Sequence, residues 1–302
     1  MQLTLGIKSD PIDRRFSFDW LFDLLAGEGV RYLQLGTFFE LYFLDDDWFL
    51  SLAERARGKG VTVKSVFSSY RELGGFLTGD PGFEKAARRN WTRLVEIASL
   101  LGADFVGSSM GSPFRDRMET KEAGLRNCIR FLADMAVLAG GKGLRGITVE
   151  PMSCLAEPPT TPDECRLVMD GLAVARAAGG GAPAYFCADI SHGYADADQR
   201  VVYDNFTLFN GQIPHICEFH FKNTDAIFNS TFGFGPAERE RGVVKLDRFR
   251  SLLEANADRF PIEDVTGYLE LSGPKIGRDY SDRKLGGMLR TSLRALREAF
   301  DI

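Results

Sequence analysis

The stretch GITVEP, residues 146–151, predicts a short buried strand that ends in a carboxylate, Glu150. The same arrangement recurs three times toward the carboxyl terminus, where an apolar run ends in or beside a side chain that binds divalent metals. The runs are AYFCAD at 184–189 with Asp189, ICEFHF at 216–221 with His220, and GYLEL at 267–271 with Glu270. Such runs, rich in β-branched and aromatic residues, are typical of strands buried on both faces of a parallel sheet. The pattern therefore predicts parallel strands that bring polar side chains to one edge.

Strand and helix patterns alternate along the whole chain. The predicted strands lie at 3–8, 32–37, 62–68, 104–109, 146–151, 184–190, 215–222 and 267–272. The predicted helices lie near 17–26, 47–58, 83–101, 119–139, 163–178, 198–208, 246–256 and 283–299, and TPDE at 161–164 is a typical capped helix start. Eight βα units predict an α/β fold, a (β/α)8 TIM barrel, rather than an open sheet. No GxGxxG or GxxxxGK[ST] motif follows a predicted strand, which argues against dinucleotide-binding and P-loop folds.

One domain over residues 1–302 is the most economical prediction, because the length suits an α/β barrel of about 250 residues with loop insertions. We find neither an internal repeat nor a Pro-rich linker that would divide the chain. The longest unassigned connection, at about 223–243 after the seventh strand, contains FNSTFGFG. Because long loops in compact domains are usually functional or disordered, we expect a lid or a substrate-binding loop here.

The composition is that of a globular protein with a small-molecule substrate. Hydrophobic residues make up 44% of the chain, and the net charge of -5 disfavours binding to a nucleic-acid backbone. The odd number of cysteines, five, without a CxxC motif, predicts free thiols in a reducing compartment. The amino-terminal segment lacks the pattern of a signal peptide, and no apolar run approaches the ~18 residues of a membrane span, so we expect a cytoplasmic protein.

Glu150, Asp189, His220 and Glu270 are predicted to bind one metal ion. Side chains at the carboxyl-terminal rim of a parallel barrel converge from different strands, and that rim is where barrel enzymes carry their chemistry. Three carboxylates and one imidazole suit Mn²⁺, Mg²⁺ or Co²⁺ better than a structural zinc ion. Each side chain alone could be an ion-pair partner or a helix N-cap. Burying all four together without a cation would be costly, which favours the metal site.

Two further polar residues are predicted near this rim. His192 follows Asp189 by three residues and is placed to meet a substrate hydroxyl, or it is an ordinary loop histidine. Glu218 shares the parity of His220 and is predicted to point inward one layer lower. Its partner would be a metal ligand that it orients or, equally well, an inward cation such as Lys64.

The order Glu150-Pro151-Met152, Asp189-x-x-His192, His220-Phe221-Lys222-Asn223 and Glu270 resembles the xylose isomerase-like barrel superfamily, and within it the tagatose and allulose 3-epimerases. The resemblance covers nearly the whole chain. It implies a metal bound by the four predicted ligands and a ketose chelated through neighbouring oxygens. Glu150 and Glu270 would then act as catalytic residues, one removing the carbon-3 proton to give an enediolate and the other returning a proton to the opposite face. His192 would hold a substrate oxygen.

The chain departs from the epimerase pattern at two substrate contacts. Those epimerases have a glutamate six residues after the first ligand and an arginine six residues after the histidine. Here these positions hold Ala156, followed by Glu157, and Ala226. New polar residues suggest a phosphorylated ketose of four to six carbons, because loops after strands seven and eight often bind phosphate. A free sugar is equally open, in which case Lys275 and Arg278 are solvated surface charges. The candidate substrate-binding residues are His192, Glu157, Lys222, Asn223, Ser108, Ser109, Lys275 and Arg278.

Three other functions remain open from the sequence. An aldose-ketose isomerase would use the same barrel and ligands for transfer between carbons 1 and 2. A non-catalytic sugar-binding barrel would bind ligand without turnover. An abasic-site endonuclease would need several more metal-binding histidines, and the chain has three in all. The resemblance also implies a homo-oligomer, a dimer or tetramer. The net charge and the lack of a long apolar run predict no nucleic-acid or membrane partner.

Overall fold

Parallel strands close into a barrel in the computed structural model, which describes residues 1–36, 38, 40–68, 72–272 and 282–302. The barrel strands are β1 (Gln2–Lys8), β2 (Tyr32–Leu35), β3 (Thr62–Ser68), β4 (Phe105–Ser108), β5 (Gly146–Val149), β6 (Ala184–Asp189), β9 (Ile216–Phe221) and β10 (Asp264–Leu269). They stand in this order around the barrel, and β10 pairs with β1 to close it. This closed eight-stranded arrangement confirms the predicted (β/α)8 TIM barrel. A two-stranded antiparallel sheet of β7 (Tyr194–Ala195) and β8 (Val201–Tyr203) lies outside the barrel.

The helices follow the strands around the outside of the barrel. They are α1 (Phe18–Gly27), α2 (Asp46–Gly58), α3 (Pro81–Leu101), α4 (Lys121–Gly141), α5 (Pro162–Gly179), α6 (Asn205–Gln212), α7 (Pro236–Arg241), α8 (Leu246–Ala255) and α9 (Leu285–Phe300). Short 3-10 helices lie at Asp10–Ile12, Gly75–Leu77, Met118–Thr120 and Ile213–His215. Within the described ranges, none of the helices combines the length and apolar character needed to cross a membrane.

Local capping chemistry sets several helix boundaries. The Thr161 hydroxyl accepts the backbone N–H of Glu164, and the Glu164 carboxylate accepts that of Thr161, which forms the capping box expected from the sequence. At the end of α3, Gly102 adopts a left-handed conformation with φ of 70°, which a residue with a Cβ disfavours. These caps fix where each helix ends and the chain turns back toward the next strand.

The structure differs from several of the predicted elements. The helix predicted at 198–208 is instead β8 followed by α6, because the run Val201–Tyr203 pairs with Tyr194–Ala195 and the Asp204 carboxylate caps the helix that follows. The connection at 223–243 is not irregular throughout, since it contains α7 and a bridge between Asn223 and Phe232. The last barrel strand begins at residue 264 rather than 267.

The alternation of side chains along β9 separates the core from the site. Phe219 and Phe221 point outward and pack with the Phe249 ring of α8, at centroid distances of 5.5 and 5.8 Å. Each fully buried phenylalanine of this kind contributes about 1.5 to 3 kcal/mol through removal from water. Glu218 and His220 alternate with these outward positions and therefore point into the barrel. The aromatic layer thus packs against one face of β9, while the other face carries polar groups.

Candidate metal centre

Four side chains converge at the carboxyl-terminal rim of the barrel. Glu150 directly follows β5, Asp189 ends β6, His220 lies in β9 and Glu270 directly follows β10. Parallel pairing of these neighbouring strands brings their ends to one rim, and one ligand atom from each residue lies within 4.8 Å of all the others. The structure therefore brings together the four residues predicted as ligands.

His220 lies at the centre of this group. Its Nδ1 is 2.9 Å from Oε1 of Glu150 and 3.2 Å from Oε2 of Glu270, whereas its Nε2 is 2.8 Å from Oε1 of Gln34. Burial alone would lower the pKa of His220, but Glu270 and Glu150 outweigh it and raise the pKa above its ordinary value. The negative potential that attracts a proton to Nδ1 would equally attract a metal ion.

Two buried lysines share the Glu270 carboxylate. The Lys8 ammonium lies 2.8 Å from Oε1 of Glu270 and 3.0 Å from Asp10, and the Lys222 ammonium lies 3.2 Å from Oε2 of Glu270 and 2.5 Å from Asp189. Burial would raise the pKa of Glu270, but Lys222 and Lys8 hold it well below its ordinary value. Burial would also lower the pKa of Lys222, but Asp189 and Glu270 raise it above its ordinary value. Glu270 and Lys222 are therefore both charged at neutral pH.

The charge balance fits a divalent cation. The ion-pair network of the described side chains contains four carboxylates and two ammonium groups, which leaves two negative charges uncompensated when the imidazole is neutral. The carboxylates are Asp10, Glu150, Asp189 and Glu270, and the ammonium groups are Lys8 and Lys222. Buried charge is costly unless it is paired. A single M²⁺ ion would restore neutrality, and the oxygen and imidazole donors suit Mn²⁺, Mg²⁺ or Co²⁺.

His192 lies beside this network. Its Nδ1 donates to the carbonyl oxygen of Pro151 at 2.8 Å, and its Nε2 lies 3.3 Å from the Lys222 ammonium and 3.4 Å from Oδ2 of Asp189. In the neutral ring, the bond to Pro151 leaves Nε2 unprotonated on the side that faces the site. His192 is therefore placed to accept a hydrogen bond from Lys222 or from a hydroxyl group.

Glu218 occupies the layer below, as its parity predicts. Its Oε1 accepts hydrogen bonds from Ser65 at 3.0 Å and Thr148 at 3.2 Å. Burial raises its pKa to about 7, and the Ser65 hydroxyl lowers it only in part. The alternative of a salt bridge with Lys64 was wrong, because the Lys64 ammonium lies 4.5 Å from the centre of the Tyr32 ring.

The other predicted substrate-binding residues fall into different surroundings. Glu157 pairs with Arg115 at 3.3 Å in the loop after β5. Asn223 is completely buried, and its Oδ1 accepts the backbone N–H groups of Thr224 and Val244. Asn223 therefore braces its own loop, and the structure does not support a substrate contact there.

Two predicted serines lie at the end of β4. The Ser108 hydroxyl donates to the backbone carbonyl of Ser109 at 2.8 Å, and both residues are buried. The Ser108 carbonyl accepts the backbone N–H of Glu150, which ties β4 to the first ligand. Lys275 and Arg278 lie outside the described residues.

Sequence reasoning missed Lys8 and Gln34. Lys8 ends β1 just as the ligands end their strands, so the signal was a polar residue closing an apolar run. Gln34 is a single amide within the four-residue strand YLQL and is completely buried. Neither residue is a carboxylate or an imidazole, so the pattern that marks the four predicted ligands does not mark them.

Comparison with known proteins adds to this geometry. A proposed xylose isomerase from Rhodospirillum rubrum is similar over 98% of this chain and 99% of that one, at 18% identity and a TM-score of 0.77. A D-psicose 3-epimerase from Clostridium cellulolyticum, solved with D-tagatose, covers 98% of this chain and 99% of its own, at 15% identity and a TM-score of 0.70. The IOLI protein, solved with a zinc atom, covers 99% and 100%, at 16% identity and a TM-score of 0.70. At identities this low, the TM-scores show a shared fold alone.

A search of curated protein sequences found no match to this chain. The model of the xylose isomerase-like TIM barrel family matches residues 22–263, which include seven of the eight predicted βα units in part or whole and three of the four candidate ligands. With a closed eight-stranded barrel and this match over most of its length, the chain belongs to the xylose isomerase-like TIM barrel family.

Proposed function

We propose that the protein is a divalent-metal-dependent epimerase of a ketose or ketose phosphate, an isomerase that inverts carbon 3. The observation that carries this proposal is the different exposure of the four ligands. The side chains of Asp189 and His220 are fully buried, whereas those of Glu150 and Glu270 are 9% and 15% exposed. The two glutamates are thus the members of the cluster that a bound sugar can reach.

The two carboxylates supply the groups that an inversion needs. Inversion of a carbon centre requires one group that removes a proton and one that returns a proton to the opposite face. Glu270 is held ionised by Lys8 and Lys222, so it is ready to accept a proton. Glu150, whose Oε1 lies 2.9 Å from the same Nδ1 of His220 that Glu270 approaches, would act as its partner. A divalent ion held by the four ligands would polarise the substrate oxygens and stabilise negative charge that develops next to carbon 3.

Lys222 and His192 form a polar wall beside these carboxylates. The Lys222 ammonium contacts Asp189, Glu270 and His192 and is 11% exposed on its side chain. We assign these two residues to the oxygens of the sugar: the Lys222 ammonium would donate to a hydroxyl or keto oxygen, and the unprotonated nitrogen of His192 would accept from a hydroxyl group.

The substrate class rests on chemistry and on similarity. A site whose carboxylates and imidazole would hold a divalent ion suits a small sugar with neighbouring oxygens, and the similar D-psicose 3-epimerase was solved with D-tagatose. The sequence adds Lys275 and Arg278 after the last strand as candidate phosphate contacts. If they bind phosphate, Arg278→Ala should raise KM for a phosphorylated ketose and leave KM for the free sugar unchanged. An unchanged KM for both would restrict the proposal to free sugars.

The test is hydrogen exchange followed by NMR. Protein loaded with Mn²⁺, Mg²⁺ or Co²⁺ is incubated in D₂O with a panel of free and phosphorylated ketoses, and the carbon-3 hydrogen is observed after the metal is removed. We expect loss of that signal, abolished by a chelator and by Glu270→Gln. Glu254→Gln, on the exposed surface of α8, is the matched control and should exchange like the wild type.

The position of exchange decides between functions. Exchange only at carbon 1 or carbon 2 would replace the proposal with an aldose-ketose isomerase. Saturable sugar binding without exchange at any carbon would support a non-catalytic barrel instead.

A further inference from the structure

The proton on the neutral imidazole of His220 decides which ring nitrogen can bind a metal ion. A metal ion can bind only an unprotonated ring nitrogen. Nδ1 faces Glu150 and Glu270, so it is the nitrogen directed at the ligand cluster. Two carboxylates near Nδ1 favour a proton on that nitrogen, which would block it. Some other contact must therefore favour the proton on Nε2.

That contact is the side-chain carbonyl of Gln34. Its Oε1 lies 2.8 Å from Nε2 of His220, and an amide oxygen can only accept a hydrogen bond. Nε2 must then donate. The Cys187 thiol, at 3.4 Å from the same nitrogen, is the weaker competitor because sulfur is a poor acceptor.

The amide of Gln34 is itself held in one orientation. Its Nε2 donates to the Ser65 hydroxyl at 3.3 Å, and that hydroxyl donates to Oε1 of Glu218 at 3.0 Å. Because the Ser65 proton is directed to the Glu218 carboxylate, the Ser65 oxygen is left to accept from Gln34. The hydrogen bonds therefore run in one direction, from His220 through Gln34 and Ser65 to Glu218.

Burial makes the direction of these hydrogen bonds hard to reverse. Gln34, Ser65 and His220 have no exposed surface, and Glu218 is 1% exposed. A buried polar group that loses its partner is left unsatisfied, since bulk water cannot replace the bond. The Gln34 amide consequently resists rotation by 180°, which would set its NH₂ group against the Nε2 proton of His220.

We propose that Gln34 is a positioning residue for the metal centre, oriented by Ser65 and Glu218 so that it holds the Nε2 proton of His220 and presents an unprotonated Nδ1 to the metal. The inference rests on the proposed metal dependence but not on any reaction. Contacts of this kind beyond the ligands change metal affinity by about 10- to 100-fold when they are removed. Gln34→Met keeps the length of the side chain and removes the acceptor. Gln34→Glu keeps an acceptor at the same place.

The experiment measures metal binding and the histidine tautomer without substrate. Zinc titration by calorimetry should give a Kd about 10- to 100-fold higher for Gln34→Met than for the wild type. Gln34→Glu should recover most of that loss. In parallel, long-range ¹H–¹⁵N spectra of metal-free protein labelled in histidine, recorded at alkaline pH, should show a proton on Nε2 of His220 in the wild type and a shift toward Nδ1 in Gln34→Met. With three histidines in the chain, His192 and His215 variants assign the signals.

Tyr268→Phe provides the matched control. Tyr268 is equally buried, its neighbour in the pairing register is His220, and its hydroxyl takes no part in the hydrogen bonds that run from His220 through Gln34 and Ser65 to Glu218. The control should leave both zinc affinity and tautomer unchanged. An equal loss of affinity in Tyr268→Phe and Gln34→Met would overturn the proposal in favour of a general packing effect.

Two further results test the role of Gln34. Zinc affinity and tautomer at the wild-type level in Gln34→Met would overturn it. If Gln34→Met fails to fold, Ser65→Ala tests the same series of hydrogen bonds. Without the Ser65 hydroxyl the Gln34 amide is free to rotate, which should weaken zinc binding and mix the two tautomers of His220. Failure of the carbon-3 exchange experiment would leave these measurements untouched, so the two proposals fail separately.

Discussion

The ammonium group of Lys8, on the first barrel strand, lies 2.8 Å from Oε1 of Glu270, which follows the last barrel strand. The contact crosses the seam at which β1 and β10 close the barrel. It also neutralises part of a carboxylate that the proposed reaction uses. Lys8 therefore joins closure of the fold to the charge state of the site.

Lys8→Met should destabilise the protein most when metal is absent. Removing one partner of a buried ion pair leaves uncompensated charge and typically costs about 3 to 5 kcal/mol. A bound divalent ion would compensate part of that charge, so we expect a large drop in Tm with chelator and a smaller one with excess Mn²⁺. Scanning calorimetry in both conditions measures the difference. Lys8→Arg keeps the charge and serves as control; equal drops with and without Mn²⁺ would show that Lys8 acts independently of the metal.

A divalent metal should stabilise the folded chain through the four ligands. Binding to the native state alone adds RT ln(1 + [M]/Kd), which is about 2.7 kcal/mol at a concentration 100 times Kd. We expect a rise in Tm that saturates with Mn²⁺ concentration and is lost in Asp189→Asn. Asp163→Asn, on the exposed start of α5, should respond like the wild type. A rise that persists in Asp189→Asn would place the binding elsewhere.

Glu218 should make stability fall as pH rises toward neutrality. Its pKa is about 7 in the folded protein, above the value of about 4.3 in an unfolded chain, so the folded state binds the extra proton. The stabilising contribution is full below the unfolded pKa and is lost as pH rises through about 7. Between about pH 5 and 8 we expect the free energy of unfolding of the wild type, relative to Glu218→Gln, to fall by roughly 2 to 3 kcal/mol. Urea titrations of metal-free protein measure it, and a pH-independent difference would contradict the prediction.

Gly193→Ala should disturb the polar wall formed by Lys222 and His192. A Cβ on Gly193 would lie 2.3 Å from the Phe228 ring, and Phe228 has little freedom to adjust because its own φ is 61° and Asp225 holds the turn around it. Overpacking of this kind costs about 1 to 3 kcal/mol. We expect lower stability and a raised KM. Gly211→Ala, in α6 with open space around its Cβ, should be neutral or slightly stabilising, and an equally neutral Gly193→Ala would show that Phe228 moves freely.

The barrel and the ligand positions could be predicted because both depend on local pattern. Strand ends carrying Glu150, Asp189, His220 and Glu270 are visible in the sequence, and parallel strands necessarily bring their ends to one rim. The start of α5 was equally readable from its capping box.

What the sequence could not supply were contacts between distant strands. Lys8 and Glu270 are 262 positions apart, and Gln34 and His220 are 186 apart. No local signal marks such partners. The helix predicted at 198–208 was wrong for a related reason, since Val201–Tyr203 pairs with Tyr194–Ala195 in a hairpin that only the fold reveals.

The four ligands all come from residues 146–302, which begin at β5, whereas Lys8, Gln34 and Ser65 come from residues 1–68, which contain β1 to β3. While these two segments are apart, residues 146–302 carry three converging acids with Lys222 as the one cation paired with them among the described residues. Docking of the first strands would supply the second cation and the amide that orients the imidazole. Mutual repulsion among the acids should therefore keep the later segment open until the first strands dock, and separately expressed segments 1–145 and 146–302 should associate more tightly as salt concentration falls.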